Sequence, residues 1–238
     1  AVLLIIWWRE GRFSWKDLFR LIPFFLTSFA LGMITLKLET NHVISIGSNE
    51  WDFSLWERFL IAGRALWFYL GKLLWPHPLA FIYPRWEIDG SAVWQWFYPI
   101  SYAALAAAFW LFRKRLGRGP FFILSLFAVT LFPVLGFRNY FPMRFSLVAD
   151  HFQYLASIGP LAMIISGAAW LFRKNTRIRR VSAFLLILTL GLLTAKRGLT
   201  YASRETLWRD TLAKNPKAWM AHNNLGAVLM EKNRQDEA

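Results

Sequence analysis

The feature that most constrains this chain is a series of long apolar runs separated by clusters of arginine and lysine. Residues 21–36 carry no charge between Arg20 and Lys37. Residues 92–112, 120–137 and 155–172 repeat the pattern, and a shorter run, 181–195, leads into Lys196 and Arg197. A helix that crosses hydrocarbon needs roughly 20 predominantly apolar residues, because its backbone polar groups find no partners in lipid. The runs therefore predict an all-α membrane protein with spans at 18–38, 91–112, 120–137, 152–172 and 181–197. The opening run, 1–8, is not followed by a small-residue cleavage site, so it is expected to be the end of a further span and not a signal peptide. Pro133 predicts a kink late in its run. Ser157, Gly159, Ser166, Gly167, Ala168 and Ala169 predict close helix approach along the 152–172 span.

Composition supports the membrane class. Apolar residues make up 56% of the chain and mean hydropathy is +0.34, above the roughly 45–50% apolar content of soluble domains. The net charge is +14, but the cations sit at the ends of apolar runs, where they orient helices or meet anionic lipid. No basic stripe with stacking aromatics lies outside these runs, so nucleic acid is not an expected partner. The chain has no cysteine, which excludes disulfides and thiolate metal sites. His42, His77, His151 and His222 are scattered, and no metal site is expected from them.

The loops give direction. Arg113, Lys114, Arg115 and Arg118 fill one short connection; Arg173, Lys174, Arg177, Arg179 and Arg180 fill another. Short basic loops stay cytoplasmic, and Arg9, Arg12, Lys16 and Arg20 agree. This places residues 39–89, 138–151 and everything after Arg197 outside. The stretch 56–75 is apolar but contains Arg58, Arg64 and Lys72. At 100° per residue Arg58 and Lys72 lie about 40° apart, with Arg64 about 80° further round. This predicts a broad cationic face opposite Leu60, Trp67, Phe68 and Leu74. The stretch is expected to be an interfacial or re-entrant helix, ended by Pro76 and followed by an extended segment through Pro78 and Pro84.

Beyond Arg197 the chain turns polar. The division expected is a transmembrane helical domain over 1–202 and, over 203–238, a linker helix leading to an incomplete tetratricopeptide (TPR) unit. His222, Leu225, Gly226, Leu229 and Ala238 fall at the TPR spacing, with Leu225 and Leu229 as core positions and Gly226 and Ala238 as small contact residues. The turn is expected at Asn233-Arg234-Gln235. One repeat cannot bury its own face, so further repeats are expected beyond Ala238.

No nucleophile–histidine–acid arrangement or phosphate loop is present. The outside loop holding Arg138 and Arg144, followed by Asp150, His151, Gln153 and Tyr154, is the main candidate site. Asp150, Gln153 and Tyr154 are spaced to share the face of a first helical turn. With Arg58, Arg64, Lys72, Lys196 and Arg197 on the same side, the cation density suits a lipid-linked phosphate.

Several strings then match a known pattern: Arg58-Phe-Leu-Ile-Ala-Gly-Arg64, Tyr69-Leu-Gly-Lys72, Trp75-Pro76, Tyr83-Pro-Arg-Trp86, Ala149-Asp-His-Phe-Gln-Tyr-Leu155 and Trp219…Asn223-Asn-Leu-Gly226. The chain resembles bacterial multispanning TPR membrane proteins. These are similar to the animal transmembrane-and-TPR O-mannosyltransferases and, more distantly, to other C-type (GT-C) glycosyltransferases. The resemblance implies the C-terminal part of a GT-C-like helical bundle in a bacterial inner membrane, with the TPR tail in the periplasm. It implies sugar transfer from a polyprenyl-phosphate donor at the outer face and an acceptor protein held by the TPR array; no cofactor is assigned. Donor phosphate would be bound by Arg138, Arg144, Arg58, Arg64, Lys72 or Arg197. Many relatives carry Arg where this chain has His151, which makes His151 a weaker phosphate ligand than Arg144. Glu39, Glu50, Asp52, Glu57, Glu87 and Asp89 do not match the family's catalytic acid, which the resemblance places in an earlier loop, so no catalytic residue is assigned. Two other readings are a non-catalytic membrane anchor presenting a TPR scaffold for protein partners and, with little ionisable residue at mid-depth to support it, a transporter.

Overall fold

A computed structural model describes residues 1–12, 14–39 and 53–234, and these form an all-helical protein. Its order is α1 (Val2–Glu10), α2 (Trp15–Glu39), α3 (Leu55–Leu74), α4 (Phe97–Leu111), a single turn α5 (Arg113–Leu116), α6 (Gly119–Leu131), α7 (Ile158–Leu171), α8 (Thr176–Thr200), α9 (Arg204–Lys214) and α10 (Trp219–Glu231). Short 3-10 turns at Val93–Trp96, Phe132–Val134, Phe141–Arg144 and Asp150–Gln153 lie between the helices. The chain divides into two compact units: residues 1–76 with 86–160, and residues 77–85 with 161–238.

Among the described residues, two helices are long and apolar enough to cross a membrane: Trp15–Thr35 within α2, and Thr176–Thr200, which is α8. At 1.5 Å per residue, 21 and 25 residues rise about 31 and 37 Å, enough for a hydrocarbon core of roughly 30 Å. Neither buries any of its apolar window against protein. Phe24, Phe29, Phe184 and Ile187 are 64–70% exposed. A helix apolar all round and uncovered by protein needs a nonaqueous surrounding, which points to membrane association. Thr27 and Thr35 satisfy their hydroxyls inside α2 by donating to the carbonyls of Pro23 (2.8 Å) and Leu31 (3.0 Å).

Helix bounds differ from the expected spans where side-chain chemistry intervenes. α8 begins five residues before 181, because Asn175 caps it by accepting the Ile178 N–H at 3.0 Å, so its arginines belong to the helix. At Pro133 the helix stops and a 3-10 turn follows, where a kinked continuation was expected. α7 starts at Ile158, six residues later than the expected span. α6 and α7 have 13 and 14 residues and rise only about 20 Å each.

In the first unit α3 is central. Ser54 and Glu57 close a capping box at its start: the Ser54 hydroxyl accepts the Glu57 N–H, and the Glu57 carboxylate accepts the Ser54 N–H at 2.7 Å. Leu60, Ile61, Ala62, Ala65, Leu66 and Tyr69 are all buried. Burial of such side chains contributes about 1.5–3 kcal/mol for each large one. Gly63 is where α4 crosses: a Cβ there would lie 2.5 Å from the Pro99 nitrogen, so only glycine fits. The sequence-derived faces of this helix need correction. Leu74, expected on the apolar face, is 69% exposed, while Arg58 and Arg64 are half-buried against protein partners instead of forming an open cationic face. α1 packs its aromatic end on α4 and α6, with Trp7 stacked on Trp110 at 5.3 Å and Trp8 on Phe122 at 4.9 Å.

In the second unit α9 and α10 form a closely packed pair. Glu205 on α9 accepts from Arg209 (2.9 Å), Lys232 (2.7 Å) and Arg234 (3.0 Å), and Arg204 pairs with Glu231. The segment 77–85 lies against this pair. Lys214 Nζ donates to the Leu79 carbonyl at 2.8 Å, Asn215 Nδ2 to the Ile82 carbonyl at 3.4 Å, and Phe81 meets Trp208 edge-on at 5.5 Å. The docking joins hydrogen bonds to backbone carbonyls with apolar burial of Ala80, Ile82 and Tyr83.

Candidate functional site

The expected outside loop, residues 138–154, packs on α3 within the first unit. Ile61, Met143 and Leu147 form a buried cluster, with Phe53, Trp86, Ile88 and Tyr140 packed around it. Gly136, at φ +89°, makes the turn that brings this loop in, and a Cβ there would lie 2.9 Å from Ile61 Cγ2. Arg58 fixes the junction. It donates Nε to the Phe53 carbonyl (3.1 Å), Nη1 to the Gly136 carbonyl (2.8 Å) and Nη2 to Asn139 Oδ1 (2.9 Å). Tyr69, two turns below Ile61 on α3, holds the far end of the loop, where its hydroxyl accepts the Ala149 N–H at 3.2 Å.

Arg64 sits beside this cluster through Trp86. Its guanidinium carbon lies 4.5 Å from the Trp86 ring centroid and 5.9 Å from that of Tyr98, both within cation–π range. Both rings lie beside the guanidinium, and no hydrogen bond among the described residues uses its N–H groups. A guanidinium with its donors unspent suits bidentate binding of a phosphate or carboxylate.

The remaining candidates divide. Arg144 is half-buried on the Phe141–Arg144 turn, and Arg138 is exposed. Lys72 lies 5.5 Å from the Phe68 ring. Asp150 and Gln153 occupy a 3-10 turn of their own, separate from α7. The face expected to be shared by Asp150, Gln153 and Tyr154 is not formed. Gln153 is buried with Oε1 unpaired, whereas Tyr154 is 71% exposed. His151 is exposed, edge-on to Phe152 at 4.5 Å. Arg197 belongs to the second unit, where it donates to Asp210 (2.7 Å) and to the Tyr201 hydroxyl (3.2 Å). Burial raises the Asp210 carboxyl, but hydrogen bonds from Lys214 and Arg197 outweigh it and hold the group below the ordinary carboxylate range.

In the tail, Leu229 is fully buried and Leu225 half-buried, and His222 Nε2 lies 2.9 Å from the Pro216 carbonyl oxygen. A Cβ on Gly226 would meet nothing within 4 Å, so the close helix approach expected there is not made among the described residues. Ala238 and Gln235 lie outside them, as do Glu50, Asp52 and the Glu39 side chain. Of the other acids, Glu57 caps α3. Hydrogen bonds from the Ser91 hydroxyl (2.6 Å) and N–H (2.8 Å) hold the Asp89 carboxyl below its usual range.

Sequence reasoning missed Tyr69, Trp86, Tyr98 and Asn139 as the groups that position the arginines. Tyr69 and Trp86 lie inside the strings that carry the family resemblance, which is the one sequence signal that pointed to them.

Comparison with known proteins bears on this arrangement. A 95-residue stretch is 34% identical to Protein O-mannosyl-transferase Tmtc2 of Drosophila melanogaster, covering 39% of this chain and 10% of that protein. A 129-residue stretch is 30% identical to human Protein O-mannosyl-transferase TMTC1, covering 52% of this chain and 14% of that one. The chain is distantly similar to O-mannosyl-transferases. It spans a small fraction of the length of either relative. Both are animal proteins, so the likeness supports the family resemblance and says nothing for a bacterial source. No family model matches the chain, and no solved structure matches it.

Proposed function

We propose that this chain is part of a membrane glycosyltransferase-like protein that moves sugar from a polyprenyl-phosphate-linked donor to a protein acceptor. The reading puts the 138–154 loop and α3 at the outer face of a bacterial inner membrane, with residues 203–238 opening a periplasmic TPR array that holds the acceptor. α3 then lies at the interface or re-enters the membrane, and the shorter helices α4, α6 and α7 are read as spans. The single observation that carries the reading is the similarity to two O-mannosyl-transferases. The geometry adds a role for each arginine. Arg64, beside Trp86 and Tyr98, and Arg144 bind the donor phosphate; Arg138 adds long-range attraction; Arg58 holds the loop in place. Removing a charge-assisted contact costs about 1.5–3 kcal/mol.

The test is transfer from a polyprenyl-phosphate sugar by the longer natural protein in proteoliposomes. Arg64→Ala and Arg144→Ala are expected to lower kcat/KM by roughly ten- to a hundredfold, mainly through KM. Wild-type kinetics in both variants would remove the phosphate assignment. A wild-type protein that transfers no sugar would favour the alternative, a non-catalytic membrane anchor for a TPR scaffold.

A further inference from the structure

A second feature of the first unit lies apart from the arginine site. Ser54, Trp56, Glu57, Gly90 and Trp96 line an open groove of about 480 Å³, within the roughly 300–1,000 Å³ of small-molecule sites. Both of its walls are held by hydrogen bonds. One is the capping box of α3, which fixes Ser54 and Glu57. The other is the turn at Gly90. There the Gln95 side chain, only 5% exposed, donates to the Glu87 carbonyl (3.2 Å) and accepts the Asp89 N–H (3.4 Å). Asp89 closes the same turn on Ser91, and the Trp96 indole N–H donates to the Gly90 carbonyl at 3.2 Å, which fixes the ring.

Two indoles pack side by side in the lining of this groove. The Trp56 and Trp96 centroids are 6.0 Å apart with their planes at 58°, and Trp56 is 62% exposed. Trp56 also packs on Phe59 at 6.4 Å, yet it leaves most of its surface open beside Ser54, Glu57 and Gly90. Glu57 uses Oε2 for the cap, and Oε1 accepts no hydrogen bond among the described residues. An anion is disfavoured here by the carboxylate. A quaternary ammonium head would need rings that enclose it, and this groove is open and several times larger than such a head. A pyranose ring fits better. Its C–H face stacks on an indole, and its hydroxyls donate to a carboxylate oxygen and to backbone carbonyls.

We infer that the Trp56–Trp96 groove is a docking site for a neutral pyranoside, separate from the donor-phosphate arginines and needing no transfer chemistry. Binding in so open a groove should be weak, with a Kd on the order of 1 mM.

The experiment is saturation-transfer NMR with methyl α-mannopyranoside and methyl β-glucopyranoside on the full chain in nanodiscs. Saturation of the indole protons should reach the ring C–H protons of at least one pyranoside. Trp56→Ala should weaken binding about tenfold or more, and Glu57→Gln, which keeps the cap, several-fold. Trp56 is exposed, so Trp56→Ala should leave the far-UV dichroism unchanged; Trp56→Tyr, which keeps a stacking ring, should retain most of the binding. No transfer to either pyranoside would overturn the inference, as would equal binding by Trp56→Ala. Displacement by choline chloride would overturn it in favour of a cation cage. Pyranoside binding by a protein that shows no sugar transfer would leave this inference standing and sink only the catalytic reading.

Discussion

Helices α2 and α3 are both long, both mostly apolar and both begin near a serine, yet their surroundings are opposite. α2 buries none of its apolar window, whereas Leu60, Ile61, Ala65 and Tyr69 of α3 are between 0 and 1% exposed. The difference lies in what interrupts the apolar pattern. α2 has no charge between Arg20 and Lys37, and none of its apolar window is buried among the described residues. α3 carries Arg58, which ties it to residues 53, 136 and 139, and Gly63, which admits Pro99. Hydropathy reports how apolar a helix is; the residues that break the run report whether protein or lipid covers it.

The largest expected effects should separate these two helices. Ile61→Ala on α3 should destabilise the first unit by about 2–5 kcal/mol, and Gly63→Leu by about 3 kcal/mol through overpacking against Pro99. Phe25→Ala on α2, where no core is lost, should stay within about 0.5 kcal/mol. Unfolding by a chemical denaturant in detergent micelles would measure all three. Equal costs on the two helices would break the comparison.

Arg58→Ala should come next. It removes three hydrogen bonds and leaves the Gly136 carbonyl without its partner, at about 2–4 kcal/mol. Hydrogen exchange should show the 136–149 loop opening before α3 does. Arg58→Lys should recover only part of the loss, because an ammonium cannot span three acceptors in the guanidinium geometry.

Smaller effects belong to the polar contacts of the second unit, which lie around its buried apolar residues. Lys214→Ala should loosen segment 77–85 from α9 by about 1 kcal/mol, seen as faster proteolysis near Phe81. Glu205 should give the smallest effect. Hydrogen bonds from Lys232 and Arg209 hold its carboxyl at about 2, against an ordinary 4.5. A depressed carboxylate contributes stability that is complete above the unfolded value and is lost as pH falls from about 4.5 toward 2. The α9–α10 pair should therefore loosen over that acid window, and Glu205→Gln should flatten the profile. Carboxyl-carbon NMR titration checks the midpoint.

How far this was legible in the sequence follows the same divide. The two lipid-suited helices could be read almost directly, with expected spans at 18–38 and 181–197 lying inside α2 and α8. Length and apolarity suffice there, since no partner has to be known. The arginines were found as residues but not as a site. Arg58 binds carbonyl and amide groups 78 and 81 positions away, and Arg64 binds two rings, neither of which leaves a local periodicity. The Asp150–Tyr154 face failed because a 3-10 turn, not a first α-helical turn, sets those side chains. The Gly226 contact is not met within the described residues, and Ala238, its expected counterpart, lies outside them.

The contrast itself is most directly measured by spin labelling, since a chain without cysteine accepts single cysteines with no background. Labels at Phe25, Phe29, Leu185 and Leu188 in bilayers should be strongly relaxed by oxygen, which partitions into lipid, and little by a water-soluble nickel complex. Labels at Ala62 and Ala65 of α3 should be shielded from both. Nickel access along α2 and α8, or oxygen access at Ala62 and Ala65 equal to that at Phe29, would contradict the account.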